Sequence, residues 1–299
     1  MKHVVVTGGT GFIGSELCHY LTKNDFRVSV LTRSPEKSES SDKNLNYFGY
    51  DKADELVDGS DVVLNLAGFN LFDQRWTNDV KKKIISSRID ITKKMVDAIL
   101  KAEKKPAAFL SASAVGYYGD SGDKELDETV AAGEDFLAEV CVLWEDASKP
   151  VADVGVRLVN PRIGIVIGEE GGALGKMITA FKMFVGGPLG DGSQYFPWIH
   201  MDDVCGSFLH LINNESISGP VNISAPNPVT MKDFAKALGN VMGRPSAFPV
   251  PEFMLRIAVG EAAGALTASL RAVPSKLLES GYSFSYSDPE KALEDILKK

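Results

Sequence analysis

The chain has 299 residues, 44% of them hydrophobic and 24% charged, a balance that suits a folded globular protein and excludes a disordered one. Its net charge of −8 argues against general nucleic-acid binding, because neutralising phosphates takes clustered Lys and Arg. No uncharged apolar run approaches the ~18 residues that span a bilayer, and the candidate nearest that length, Phe253 to Leu270, carries Arg256 and Glu261.

In chain order, HVVVT at 3–7 is a short apolar run meeting a glycine cluster, which predicts a buried strand. A helical period over 12–23 places Leu17, Tyr20 and Leu21 on one face, and RVSVLT at 27–32 predicts a second strand. The polar stretch 34–46 is expected as a loop. DVVLNL at 61–66 predicts a strand, 77–101 a long helix and AAFLSA at 107–112 a strand. A helix is expected over 133–149 and a strand over 154–159. Glycine clusters at 171–175 and 186–192 suggest mobile loops. PVNISA, beginning at Pro220, predicts a strand and 230–242 a helix. Strands alternating with helices at this spacing imply a parallel sheet built from βαβ crossovers. The fold class is therefore α/β: a Rossmann-type doubly wound parallel sheet with a smaller C-terminal α/β substrate lobe. The expected boundaries are 1–165 for the sheet domain, with part of 200–225 returning to it, and 166–299 for the lobe. The chain's three cysteines, Cys18, Cys141 and Cys205, are widely spaced and form no CxxC. That usage fits a reducing compartment, and with no signal-peptide pattern the expected location is the cytoplasm. No metal site is expected from the four histidines.

The first strand runs into Thr7-Gly8-Gly9-Thr10-Gly11-Phe12-Ile13-Gly14. Gly8, Gly11 and Gly14 are spaced GxxGxxG between a strand and a helix, the context in which such glycines carry meaning. One permits the tight turn, one lets backbone approach a pyrophosphate, and one lets the helix pack on the strand. The helix N-terminus adds free N–H groups and partial positive charge. A carboxylate that reads the ribose 2′-hydroxyl of NAD usually ends the second strand, about 20 residues on. Here Thr32, Arg33 and Ser34 stand there, and Glu36 is the first carboxylate. Arg33 suits a 2′-phosphate, so the expected cofactor is NADP(H).

With TGGTGFIG, the NLAG segment Asn65 to Gly68, SASAVGYYG from Ser111 to Gly119 and WIHMDD from Trp198 to Asp203, the chain resembles the extended short-chain dehydrogenase/reductase superfamily. QRW at 74–76, SR at 87–88, GGALGKM at 171–177, GGPLGDG at 186–192 and SAPNPVT at 224–230 resemble its atypical epimerase-family branch, which has a C-terminal domain of its own. The resemblance covers essentially the whole chain. It implies that Gly8, Phe12, Ile13 and Gly14 meet the pyrophosphate, Thr32 and Arg33 the ribose phosphate, and Leu66 and Ala67 the adenine and ribose, unless these last two only close a strand end. It also implies that Arg88 lies near the cofactor and Val166 near the nicotinamide.

The superfamily's chemistry uses Ser, Tyr and Lys, with Tyr-x-x-x-Lys on a helix. No tyrosine here has Lys four residues on, and Phe136 and Val140 occupy the expected places. Ser113 falls near the expected serine, and Tyr117 in the adjoining loop is the candidate proton donor; Tyr117 and Tyr118 packing the loop is the competing reading. His200 could be an acid/base, but Asp202 reads as an N-cap in a structural segment. Arg75 and Trp76 could recognise an anionic or aromatic substrate or pack at the surface. Arg162 could face a substrate anion, Arg157 is expected in a structural ion pair, and Cys141 is expected as a buried helical residue. The apolar segment 251–270 is expected as a helix, packed in the core or at a homodimer seam. Two functions stay open. One is an NADP(H)-dependent oxidoreductase or nucleotide-sugar-epimerase-like enzyme on an unidentified small molecule. The other is a catalytically inactive NADP(H)-binding sensor.

Overall fold

Short β-branched runs, each stopped by glycine or a polar turn, set the central strands of the computed structural model. It describes residues 1–169 and 171–298; Glu170 and Lys299, both inside the lobe expected over 166–299, lie outside the described residues. β1 (Lys2–Thr7) leads through α1 (Phe12–Lys23) to β2 (Phe26–Thr32) and β3 (Leu45–Gly49). Next come α2 (Ala53–Val57), β4 (Val62–Asn65), α3 (Asn78–Lys101), β5 (Ala108–Ser111), the two-residue β6 (Ser113–Ala114), β7 (Glu125–Leu126), α4 (Phe136–Ser148) and β8 (Arg157–Ile163).

The main sheet is wholly parallel, in the order β12-β8-β5-β4-β1-β2-β3, with β12 (Gly219–Ile223) at one edge and β6 pairing β8. Its β3-β2-β1-β4-β5-β8 portion has the doubly wound order, whose direction reverses between β1 and β4. Side chains alternate between faces with the period of 2 that a pleated strand imposes. Val4, Val6, Leu64 and Leu110 pack with Leu17 and Leu21 of α1 and, from the C-terminal half, Phe208. Val5, Val63 and Phe109 pack on the other face with Val57, Met95 and Ile99. A parallel sheet covered on both faces reads as near-continuous apolar runs, and the valines of β1 do.

The chain continues through β9 (Ile165–Ile167), α5 (Gly172–Lys182), β10 (Tyr195–Phe196), β11 (Trp198–His200) and α6 (Met201–Asn213). After β12 follow β13 (Val229–Thr230), α7 (Met231–Met242), α8 (Glu252–Val259), α9 (Ala263–Thr267), β14 (Arg271–Ala272), α10 (Ser275–Glu279) and α11 (Pro289–Leu297). A second core forms here around Phe181, Trp198, Phe234, Leu238 and Leu293. Phe196 and Phe234 stand 4.7 Å apart, centroid to centroid.

Several expectations are corrected. β3 begins inside and runs past the stretch read as a loop, because LNYFG gains its strand character from pairing with β2. The glycine cluster at 171–175 opens α5: Leu174 and Phe181 bury one face of that helix, which overrides the glycines' low propensity. The strand expected over 154–159 starts at Arg157, after a 3-10 turn, and runs to Ile163. The apolar segment 251–270 is not one helix. It breaks at Gly260, whose φ of +68° ends α8, and Phe253, Met254 and Ile257 are exposed.

The C-terminal segment is tied down by one buried carboxylate. Asp203, fully buried in α6, accepts from the N–H groups of Ser285 (2.7 Å) and Tyr286 (2.9 Å) and from the Tyr282 hydroxyl (3.3 Å). Hydrogen bonds to a charged group contribute about 1.5–3 kcal/mol each, less whatever water restores. Asp203→Ala should therefore lower the unfolding free energy by about 3 kcal/mol, read by urea denaturation, and open the chain near 282–286 to protease.

Candidate functional site

The turn after β1 is shaped by contact with the end of β4. Gly8 has φ +73°, and a Cβ there would lie 2.6 Å from the Leu66 carbonyl carbon and 2.7 Å from the Ala67 nitrogen. A Cβ on Gly14 would lie 2.1 Å from the Gly8 oxygen. Only glycine permits both approaches. Gly11 precedes α1 without any side-chain cap, and its N–H bonds the Gly8 oxygen at 3.0 Å. The N–H groups of Phe12, Ile13 and Gly14 precede the first helical bond, from Ser15 to the Gly11 oxygen at 2.9 Å, so they have no acceptor within α1, and the helix dipole adds to them. This turn sits at the point where the sheet order reverses, the crevice in which open α/β sheets hold ligands.

A buried polar ladder fixes the strand ends beside it. Thr7 donates to Asn65 (2.6 Å), and Asn65 donates to Thr92 (2.7 Å) and Ser111 (3.2 Å). Trp144 donates to Thr92 at 3.0 Å. β1, β4, β5, α3 and α4 are thereby held in one register.

The structure brings most of the expected cofactor residues to this crevice. Thr32 and Arg33 stand at the end of β2, with Arg33 exposed. Leu66 and Ala67 supply the backbone that Gly8 touches. Arg88 lies against Gly68, its guanidinium carbon 3.1 Å from where a Gly68 Cβ would stand. It donates to the carbonyls of Phe69 (3.2 Å) and Ile84 (3.0 Å) and makes no ion pair among the described residues. Burial lowers its pKa to about 10, so it remains a cation at neutral pH. Val166, buried in β9, joins the turn in which Gly168, Gly171 and Gly172 close around the Phe12 ring.

Ser113 and Tyr117 stand in the segment that directly follows β5. Ser113 pairs with Arg162 across β6 and β8, is 2% exposed and lies against Cys141. The Tyr117 ring lies 3.4 Å from the Arg162 guanidinium carbon. Arg162 is 2% exposed and donates to both oxygens of Glu145, at 2.8 and 3.0 Å, and to the Tyr118 hydroxyl at 3.0 Å. The residue expected to face a substrate anion is therefore neutralised within the protein. Tyr118 donates to Asn222 at 2.7 Å, and burial pushes its pKa up to about 12. Burial likewise pushes Cys141 up to about 11 and Cys18 and Cys205 to about 12, which leaves all three thiols protonated and unreactive. Arg157 makes no ion pair among the described residues; it donates to the carbonyls of Ile217 and Leu211, at 2.8 and 3.0 Å.

His200, not Asp202, caps α6. Its Nδ1 accepts the Asp202 N–H at 3.1 Å, its Nε2 lies 3.5 Å from Asp295, and the Tyr286 ring stacks on it at 4.0 Å. Side-chain atoms of His200, Asp202 and Asp295 lie within 4.8 Å of one another, but the Nδ1 lone pair is committed to the cap.

A cleft of about 1120 Å³ opens near the C-terminal ends of the strands. Trp76, Phe136 and Leu137 line one side; Asp191, Ser193 and Gln194 another; and residues of α8 and α9 close over it. Phe136, where the proton-transferring tyrosine was expected, packs edge-on against Trp76 at 5.2 Å, and Val140 is buried. Arg75 does not face the cleft as a free cation: it donates to the carbonyls of Ile257 and Ala258 at the end of α8. Sequence reasoning did not single out Asp120, Asp135 and Asp191 around this cleft, because nothing in their spacing shows that the segments carrying them meet.

The model of the NAD dependent epimerase/dehydratase family matches residues 4–224, and that of a domain of unknown function, DUF1731, matches residues 250–296. The chain is 43% identical to the chloroplastic epimerase family protein SDR39U1 homolog of Arabidopsis thaliana, over 99% of this chain and 86% of that protein. It is 39% identical to the epimerase family protein YfhF of Bacillus subtilis, over 99% and 98%. Human epimerase family protein SDR39U1, crystallised with NADPH, superposes with a TM-score of 0.91 at 30% identity over 99% of both chains.

Two outcomes follow from the site's geometry. Gly14→Ala should lower thermal stability measurably and abolish dinucleotide binding in a fluorescence titration, because its Cβ meets backbone that cannot yield. Arg162→Met, which leaves Glu145 buried and unpaired, should cost about 3–5 kcal/mol of unfolding free energy in denaturant titration.

Proposed function

Because the chain belongs to the NAD dependent epimerase/dehydratase family, we propose that it binds NADP(H) across the β1/β4 crevice and acts as an NADP(H)-dependent oxidoreductase or epimerase-like enzyme on a small molecule. The observation that carries the reading is the end of β2, where exposed Arg33 follows Thr32 and no carboxylate precedes Glu36. A carboxylate there would bond a 2′-hydroxyl and repel a 2′-phosphate; an arginine does the reverse. In this reading the N–H groups after Gly11 hold the pyrophosphate, with Gly8 and Gly14 keeping the approach open. Leu66 and Ala67 flank the adenosine half, Arg88 supplies an unneutralised cation beside it, and Val166 borders the nicotinamide. The bound dinucleotide supplies the hydride, and the protein supplies orientation and a dry, charged surface. The crystallised human relative, which holds NADPH, supports the choice of nucleotide.

Proton transfer is not assigned to Ser113 or Tyr117, since one is buried against Cys141 and the ring of the other covers Arg162. The apolar pair Phe136 and Val140 favours a second reading, a sensor that binds the nucleotide without turnover. The two are separated by incubating the protein with NADPH and a panel of carbonyl and imine compounds. Oxidation of NADPH supports the enzyme; a change of shape or stability between NADP+ and NADPH, without turnover, supports the sensor.

Arg33→Ala should weaken NADPH binding about tenfold or more, the loss of ~1.5–3 kcal/mol expected for a charge-assisted bond, and leave NADH binding unchanged in calorimetry. Failure of the native protein to bind either nucleotide would overturn the cofactor reading.

A further inference from the structure

The stretch from Pro251 to Ala268 covers the 1120 Å³ cleft, with Glu252, Glu261, Gly264 and Thr267 among the lining residues it supplies. Both ends of the stretch are fixed to the body of the protein. Just before it, the Val250 N–H donates to the Pro188 carbonyl at 2.8 Å, and the Val250 carbonyl accepts from the Gly190 N–H at 2.9 Å. Just after it, the Ser269 N–H donates to Asp120 at 3.0 Å and the Ser269 hydroxyl to the Gly122 carbonyl at 2.6 Å. The Leu270 N–H then donates to the Tyr195 carbonyl at 3.1 Å.

The middle is held less firmly. Among the described residues of α8, Leu255 alone is buried, and Phe253, Met254 and Ile257 are exposed. The Glu252–Arg256 ion pair lies within the helix and ties it to nothing else. Ala262 and Ala263 are buried, but a methyl group removes little apolar surface from water. Arg75 joins α8 to the opposite wall. Its guanidinium donates to the carbonyls of Ile257 and Ala258, groups that a helix end leaves without an internal partner, and its charge meets the negative end of the helix dipole. Its side-chain carbons stand 3.9 Å from where a Cβ on Gly260 would lie, at the break that ends α8. Lys81 pairs with Glu261, which is largely exposed, and an ion pair so placed adds little stability. The wall beneath is fixed: Trp76, next to Arg75 in the chain, donates to the Leu71 carbonyl at 2.8 Å and packs edge-on against Phe136.

We infer that residues 251–268 form a strap that swings open to admit a small molecule to the cleft and closes over it, with Arg75 as its latch and the Lys81–Glu261 pair as a second, weaker tie. A segment with few buried contacts between firmly bonded ends opens locally without unfolding the rest. Closure of such a segment shields a bound molecule from water. The strap depends on no property of the nucleotide site, so it stands or falls apart from the NADP(H) reading.

The test is hydrogen exchange of the full chain, read by mass spectrometry, together with acrylamide quenching of tryptophan fluorescence. In the native protein the amides of α8 should exchange about 100-fold faster than those of β1 and β4. Arg75→Met should speed exchange of α8 and α9 about fivefold further and leave β1 and β4 unchanged. Trp144 and Trp198 are 6% and 1% exposed, so quenching reports on Trp76 in the cleft. Its quenching constant should rise about twofold in Arg75→Met as the cover opens. Glu261→Gln, which leaves Arg75 in place, should move both readouts in the same direction by less. Lys52→Met, which removes the ion pair with Glu55 and touches no residue of the cleft, should move neither. Native α8 amides that exchange as slowly as those of β1 and β4 would overturn the strap, since the segment then opens only when the whole protein unfolds. Faster exchange in Arg75→Met with unchanged quenching would also refute it, because α8 would be fraying without uncovering the cleft. Unaltered exchange in the folded Arg75→Met variant would remove Arg75 as the latch and the proposal with it.

Discussion

Two backbone segments meet at the reversal point of the sheet with no room for a side chain between them. The turn after β1 presses against the end of β4, so closely that a single methyl on Gly8 would overlap the Leu66–Ala67 peptide, and one on Gly14 would overlap Gly8 itself. Everything nearby inherits its position from that contact. It sets where α1 begins and therefore where its unpaired N–H groups face. Thr7 and Asn65, bonded at 2.6 Å just before the contact, carry the same registration into β5 and the two helices behind it. The crevice is consequently rigid and preformed, the state in which binding energy is not spent on ordering the site.

The neighbouring positions show charge being either neutralised or left available. Arg162 is satisfied by Glu145 on both oxygens and covered by Tyr117, and Arg157 and Arg75 are absorbed by carbonyl oxygens. Arg33 and Arg88 make no ion pair among the described residues, and both stand at the crevice. Around the cleft, Glu252 pairs with Arg256 and Glu261 with Lys81, while Asp120, Asp123, Asp135 and Asp191 make no ion pair among the described residues.

Much of this was legible in the linear chain where the cause is local. The consecutive valines of β1, the GxxGxxG spacing and the arginine at the end of β2 each depend on residues within one βαβ unit. They state a parallel sheet, a phosphate-binding turn and a preference for the phosphorylated nucleotide without reference to anything distant. The missing Tyr-x-x-x-Lys is equally local, since it is an absence within one helix. Errors arose where the cause lies in a partner. β3 is a strand because β2 offers it a ladder, and α5 is a helix because Leu174 and Phe181 find a core. Arg162 pairs with a residue 17 positions away on α4, a distance at which charge pairing has no sequence signature.

The sequence by itself determined the sheet class, the position of the glycine turn and the chemistry of the β2 end, because those follow from backbone sterics and short-range periodicity. Only the tertiary structure decided which charges remain free. The segment carrying Asp120 and Asp135 and the one carrying Asp191 are far apart in the chain, and their meeting around one cleft is set by how the C-terminal half packs against the strand ends. Electrostatic potential is a sum over space, and no reading along the chain performs that sum.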